Sequence, residues 1–552
     1  MKKIFILLFI ISFTYNCKAQ NSINISNINK RDAFLYEFCK VWGFLKYYHP
    51  GITKEKLDWD DVLVSLLPKV KSALNKDEFN TVLNELINKA EKSNKVKEYK
   101  KNNIILQADL DWINDTTIIS GEISKKLISI KNKFYPFNNF YYKSSLFKGN
   151  IKFKNEKGYN SLFPSQELRI LSLFRYWNCI NYFFPYKNLM DKNWDNVLIE
   201  YIPKFINCTD SISYLYTVLA LTKSLNDGHA TYCMTNSPLK QNEFSLPFSL
   251  RYVEGKTIIY KVFFDTIKTI KRGDIISNFN GIEINNYRNK YSSFIGASND
   301  VGLQKYIDWA IPDGRKNDTI YIKINNDSNK LYFVRNISTD DLYSFYYNKS
   351  SNSRIINEKY LYIDFREITS VKKLKKITDS LKYAKGLIID LRQGAGIIGR
   401  NLMRKISNNK KTYSINPLIP CKNMPGNFEI NKKKLGYSVR GSKKSININT
   451  VILVNERTQS YLEFLAMKYQ SLNNVKTIGS QTAGADGNIS SIRLPGKIST
   501  CFSCIGIFYP DGTQTQRLGV KIDIIVKPTI KGIIDGKDEV LDSAIEYLNT
   551  LK

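Results

Sequence analysis

Ser460 stands in the stretch VILVNERTQSYLEFLAMKY (Val451 to Tyr469), where an apolar run, a polar turn and an amphipathic run follow one another. Two chemistries fit a serine at that place. With Glu463 it spells S-x-x-E, the capping box in which a serine hydroxyl accepts the N–H three residues on. A helix start also gathers backbone N–H groups in a positive field, which suits a nucleophile whose attack leaves an oxyanion to be held. The local pattern leaves both open. A base for such a serine is scarce, because the chain has two histidines, His49 and His229. His229 follows Asp227-Gly228 in LTKSLNDGHATYCM. It is either a solvent-exposed turn residue or an imidazole that takes and returns a proton near neutral pH. So few histidines exclude a histidine-rich metal site, and neither a metal nor another cofactor is expected. Cys501 and Cys504 form a lone C-x-x-C with no second pair and no histidine nearby. That pattern fits two thiols on a surface hairpin better than a ligand set.

At 552 residues the chain is too long for one hydrophobic core, and two to four domains are expected. Hydrophobic residues make up 43% and charged residues 24%, which is ordinary for a globular protein. At the N-terminus Lys2 and Lys3 precede the apolar run IFILLFIISF, followed by small or polar residues up to Gln20. This run is too short to span a bilayer and resembles an export signal, residues 1–19, with cleavage after Ala19. The protein is therefore expected to be exported, periplasmic or secreted, with lipid anchoring at Cys17 as the alternative. The eight cysteines are scattered, and the seven beyond Cys17 do not suggest a disulfide framework. A net charge of +32 comes mostly from lysines spread along the chain. There is no basic block or nucleic-acid motif, so no nucleic-acid partner is expected. Attraction to an anionic membrane surface is left open.

The elements that must position Ser460 and His229 start with a repeat. WGFLKYYHPGITKEKLDWDDVLVSLLPKV begins at Trp42 and WNCINYFFPYKNLMDKNWDNVLIEYIPKF at Trp177. Without a gap, Trp42, Tyr47, Pro50, Trp59, Asp60 and Pro68 match Trp177, Tyr182, Pro185, Trp194, Asp195 and Pro203. Apolar residues at helical spacing precede each tryptophan, and the prolines are expected to stop these helices. Matched tryptophans and prolines are packing residues. The first copy, residues 20–160, dissolves into the polar segment NKAEKSNKVKEYKKNN and a linker or small β region. The second, residues 161–240, ends in the Asp-Gly-His turn. Residues 241–338 change to short β-like runs, with Asn280-Gly281 marking a hairpin. In residues 339–552 apolar strands alternate with helices, predicting βαβ crossovers and a largely parallel sheet. The fold class is thus multidomain α/β. Ligand chemistry in such sheets gathers at the carboxyl ends of the strands, where DLRQGAG (Asp390 to Gly396) and the Ser460 turn both fall.

Taken in order, LNDGH, RGDIISNFNGIEI, KGLIIDLRQGAG, NERTQSYLEFLA, IGSQTAGADG and QRLGVKIDIIVKPTIKGIIDGKDEVLDSAIEYL resemble the tail-specific, or C-terminal-processing, serine peptidases, a group that includes the tricorn core. The resemblance runs from about Gln166 to Lys552. It implies a PDZ-like β segment over 241–338, able to receive a polypeptide end by β-addition, and a ClpP/crotonase-like catalytic core over 339–552. It makes Ser460 the nucleophile of the T-x-S-x-x-E turn and polypeptides the substrates. Some relatives activate that serine with a downstream lysine; here Ala485 stands in its place. Tricorn-like relatives use the histidine of the D-G-H motif, which maps onto His229. Their orienting glutamate maps onto Gln516, whose carbonyl can hold an imidazole N–H but brings no charge, and Ile522 replaces a usual proline. The oxyanion hole maps onto the backbone N–H groups of Tyr461 and Gly396, in a loop where Gly394 and Ile397 replace the usual asparagine and paired glycine. The implied activity is an exported serine endopeptidase working through an acyl-enzyme. The altered residues leave the alternative of a catalytically impaired homologue that binds peptides or envelope partners.

Overall fold

In the computed structural model the tryptophans of the repeat account for their own spacing. The structure describes residues 28–54, 58–90, 104–132, 139–145, 149–232, 243–325, 327–342, 353–394, 399–407, 412–430, 438–442 and 445–551. The export signal and Cys17 lie outside them. Helices α1 (Lys30–Tyr48) and α2 (Trp59–Ser72) form the first copy, α3 (Gln166–Phe183) and α4 (Trp194–Ile206) the second. The Trp42 indole donates to the Trp59 carbonyl at 3.0 Å, and the Trp59 indole returns a bond to the Trp42 carbonyl at 3.1 Å. Trp177 and Trp194 repeat the exchange at 2.8 and 3.0 Å. Each pair buries two large rings without leaving an indole N–H unsatisfied. Pro68 and Pro203 lie inside α2 and α4, where packing of the apolar face outweighs the missing backbone bond. α1 and α3 cross so closely that a Cβ on Gly43 would overlap the Asn178 amide, 1.8 Å from its Oδ1.

Buried charges join the two copies. Asp60 pairs with Arg175 at 2.5 Å, and Glu156 with Lys46 and Arg175, both at 2.9 Å. The region after the first copy is more than a linker. It holds a helix, Gly121–Lys131, and a hairpin, Tyr142–Ser144 with Ile151–Phe153. Its strand Ile104–Leu106 pairs with Phe428–Ile430, more than three hundred residues away. A short helix, α5 (Gly228–Tyr232), closes the second copy and carries His229.

Within the β-rich segment, the hairpin Ile276–Phe279 and Ile282–Glu283 turns at Asn280 and Gly281, with φ of 49° and 84°. Positive φ at both central residues is what an Asn-Gly turn supplies. Strands Leu331–Val334 and Thr319–Ile324 extend that sheet, and helix α6 (Asp300–Ala310) packs on the strand Phe248–Val253.

The C-terminal core is a six-stranded sheet in sequential order: β1 (Arg354–Ile356), β2 (Tyr360–Asp364), β3 (Gly386–Asp390), β4 (Thr450–Val454), β5 (Val475–Gly479) and β6 (Ile524–Ile525). Only β1 runs antiparallel. Every residue of β2, β3 and β4 is buried, because helices cover both faces. Ile363, Ile389 and Ile452 pack with helix α7 (Tyr461–Gln470) on one face. Ile388, Val451 and Leu453 pack with the helix Glu539–Thr550 on the other. The result is a mixed α/β chain with a helical N-terminal region and a largely parallel sheet. No described helix is long and apolar enough to cross a membrane.

Candidate active site

The Ser460 turn is built at the carboxyl end of β4. Thr458, fully buried, donates its hydroxyl to the Leu391 carbonyl at 2.9 Å and accepts the Asn455 N–H at 3.1 Å. It thereby ties the turn to the end of the neighbouring strand. Ser460 then adopts φ 57° and ψ −117°, a conformation costing a non-glycine residue roughly 1–3 kcal/mol. Glu463 holds it there. This fully buried carboxylate accepts the Ser460 N–H at 3.1 Å, the Thr482 hydroxyl at 2.5 Å, and the N–H groups of Gly484 and Ala485 at 2.8 and 3.0 Å. Burial pushes the Glu463 carboxyl up, against the pull of these donors. The Ser460 hydroxyl faces the Glu463 N–H in the manner of a capping box, without the geometry of a capping hydrogen bond. The sequence expectation of a helix start at Ser460 therefore holds, and the glutamate's partners extend beyond the box.

His229 is not an exposed turn residue; it is 5% exposed. Its Nδ1 lies 2.8 Å from Ser503 Oγ and 3.5 Å from Asp227 Oδ1. The Ser503 hydroxyl is 3.0 Å from Asp227 Oδ1, and the Ser503 N–H donates to Asp227 Oδ2 at 2.6 Å. An ionised aspartate only accepts. The Ser503 proton therefore goes to Asp227, and the Ser503 oxygen takes its hydrogen bond from Nδ1–H. That leaves Nε2 as the bare nitrogen, buried and without a hydrogen-bond partner. Burial pushes the Asp227 carboxyl up, but the hydrogen bonds from His229 and Ser503 outweigh it and hold the group below its ordinary value.

The two turns touch. Tyr306 on α6 donates its hydroxyl to the Gly228 carbonyl at 2.8 Å and lies 2.9 Å from Gln459 Oε1. A Cβ on Gly228 would stand 3.1 Å from the Ala485 Cβ and 3.5 Å from Gln459 Nε2. The residue before His229 thus lies against the residue before Ser460. The Asp-Gly-His turn occupies the space in front of Ala485, where a long side chain would have to pass.

Residues 359–526 match the family model of peptidase family S41. That stretch, the C-terminal core, carries the pattern of a family S41 domain. No curated protein matches it by sequence. The solved structure of mature CPAF is similar, at 12% identity and a TM-score of 0.54, covering 70% of this chain and 98% of that one. That likeness is one of fold. A putative peptidase from Parabacteroides merdae (14% identity, TM-score 0.42, 70% and 97% covered) and the photosystem II D1 C-terminal processing protease (15%, 0.41, 68% and 99%) also match.

Against this family background, the structure separates the residues expected from the sequence. Ser460 and His229 lie on adjoining turns. Tyr461 opens α7 directly after the serine, and Gly396 lies outside the described residues. Gln516 does not hold the imidazole, contrary to expectation. Its amide donates to the Asn226 carbonyl at 3.4 Å and to Ser298 Oγ at 3.3 Å, and its buried Oε1 makes no hydrogen bond. Asp227, two residues before the ring on the same turn, reaches Nδ1 first through Ser503. The Cys501–Cys504 pair is likewise no surface dithiol. Both residues are buried, Cys504 is free and Cys501 is disulfide-bonded.

Lys305, one residue before Tyr306, was not singled out from sequence. It is 3% exposed, donates to Gln459 Oε1 and lies 4.3 Å from the Tyr306 ring. Burial pushes its ammonium down to about 7, helped by Arg457 and opposed by Glu463 and Glu456. In the unfolded chain a lysine titrates near about 10.4. Between those values the unfolded chain binds more protons, so stability rises with pH, by at most about 1.4 kcal/mol per unit. Urea unfolding of wild type and Lys305→Met is expected to show the wild type gaining on the variant from pH 7.5 to 9.5. A pH-independent difference would refute the depressed titration.

Proposed function

We propose that this chain is a serine endopeptidase of family S41, with Ser460 as nucleophile and His229 as its base. The supporting observation is the bare, buried Nε2 of His229, with its tautomer set by Asp227 and Ser503, on a turn packed against that of a strained serine. A serine hydroxyl is a weak nucleophile until a base takes its proton during attack. Nε2 would remove that proton as Ser460 Oγ bonds to the peptide carbonyl carbon. The imidazolium would be stabilised by the Asp227 carboxylate, which supplies the charge that Gln516 lacks. As the C–N bond breaks, the proton would pass to the leaving amine; a water, activated the same way, would then release the acyl group. The N–H of Tyr461 and the Gly396 loop would receive the oxyanion.

The segment 241–338 would serve as a PDZ-like domain, taking an extended chain along an open edge of its sheet, and the core would be ClpP/crotonase-like. The export signal of residues 1–19 would carry the enzyme to the periplasm or outside the cell, with polypeptides there as substrates.

A fluorophosphonate probe tests the reading. Wild type should be labelled and should cleave casein, Ser460→Ala should do neither, and His229→Ala should lose roughly 10²- to 10⁴-fold in rate. Casein cleavage by His229→Ala at a near-normal rate would place the base elsewhere. Absent labelling with peptide capture intact would favour the binding homologue.

A further inference from the structure

A cavity of about 310 Å³ opens at the carboxyl ends of β2, β3 and β4, where the β-rich segment and the 528–540 stretch close over the sheet. Its charges are unevenly engaged. Asp390 accepts two bonds from the Arg392 guanidinium, at 3.0 and 2.7 Å, one from the Arg392 N–H at 2.9 Å and one from the Tyr362 hydroxyl at 2.7 Å. Asp538 takes the other side of Arg392 through two bonds of 2.7 Å. Asp364 is held by Arg366 at 2.9 Å, and Glu539 by the Thr529 N–H and hydroxyl at 2.7 and 2.6 Å. The lining carboxylates are thus all occupied.

The lining cations are not. Arg251 is paired, at 2.9 Å, with Glu456, and its guanidinium lies 5.2 Å from the Tyr260 ring. Arg457 lies 5.5 Å from that same ring. Arg457, Arg272 and Lys537 also line the cavity, and among the described residues none of these three has a carboxylate partner. They come from three different parts of the chain: the nucleophile turn, the β-rich segment and the stretch before the last helix. Six lining cations stand against four lining carboxylates, a surplus of positive charge that an oxyanion can balance. Guanidinium forks bind carboxylate and phosphate groups with paired hydrogen bonds.

We propose that this cavity is an anion-binding site, taking a carboxylate or phosphate group that bridges Arg457 of the nucleophile turn to Arg272 and Lys537. The group belongs either to a free small anion or to an acidic polypeptide segment. The site needs no catalytic step, so it stands or falls independently of the proposed hydrolysis.

Binding is measured on the full chain carrying Ser460→Ala, which removes cleavage from the readout. The probes are a fluorescein-labelled hexaglutamate peptide, its hexaglutamine counterpart, and inorganic phosphate as competitor and by calorimetry. The glutamate peptide should bind and the glutamine peptide should not. Arg457→Gln with Arg272→Gln should weaken binding roughly tenfold or more. Arg272→Gln with Lys537→Gln, at exposed positions, should weaken it too without disturbing the turn. Removing two exposed lysines elsewhere, Lys125→Gln with Lys131→Gln, should leave it in place. Phosphate binding that is lost in the same variants, without peptide binding, assigns the seat to a free small anion. No saturable binding of either probe, or equal weakening by the Lys125 and Lys131 changes, overturns the site.

Discussion

Asp227→Asn is expected to lower kcat/KM by roughly 10³- to 10⁴-fold with KM little changed. The carboxylate only accepts, and this forces the Ser503 hydroxyl to point at it and Nδ1–H to point at Ser503. An asparagine amide can donate towards Ser503. The serine proton is then free to turn to Nδ1, and the imidazole is left with its hydrogen on Nε2, where it cannot take the proton of Ser460. The same change removes the carboxylate charge, 3.5 Å from Nδ1, that would stabilise an imidazolium. Ser503→Ala should cost less, because the aspartate stays in place. The check is steady-state kinetics together with fluorophosphonate labelling rates. An Asp227→Asn enzyme within tenfold of wild type would mean that another group sets the tautomer. Gln516→Ala should be milder than Asp227→Asn, since Gln516 braces the Asn226 backbone rather than the ring.

How much of this was legible in the sequence depends on the range of the interaction. Ser460 and His229 stood out because each lies in a short string whose residue types already suggest chemistry. Asp227 was in plain view two residues before the histidine and was given no role, since a sequence does not say which way a carboxylate points. Ser503 gave no signal: it reaches the site only because the strand Ile498–Ser503 packs under α5. Gln516 shows the converse. Its position along the chain was informative, for it does arrive at the Asp-Gly-His turn, but position does not fix the direction of a hydrogen bond.

The fold follows the same division. Strands such as GLIID and TVILV were readable because both their faces are covered, so the apolar run is continuous. The repeat was readable from its tryptophans, though not the reason for them, the reciprocal indole-to-carbonyl exchange across each helix pair. The pairing of Ile104–Leu106 with Phe428–Ile430 was not readable at all. Three residues carry too little pattern to announce a partner so far along the chain.

Glu463→Gln is the second change with a large expected effect. Its two carboxylate oxygens each accept two donors: Thr482 Oγ1 and the Gly484 N–H on Oε1, the Ser460 and Ala485 N–H groups on Oε2. A glutamine keeps one oxygen and sets an NH₂ against the other two donors. At least two buried donors then lose their acceptor, at about 1–3 kcal/mol each. The loss falls on the contacts that hold Ser460 at φ 57°, so the serine can relax towards ordinary backbone geometry and leave the turn of His229. Labelling by fluorophosphonate should slow by about a hundredfold or more, since misplacement of a reacting atom by about 1 Å can cost that much. Urea unfolding should report the stability loss separately. Thr482→Val, which removes a single donor from Oε1, should show a smaller loss of both. If Glu463→Gln kept full labelling and full stability, the strained serine would be held by something other than this carboxylate, and the capping box would be no more than a helix start.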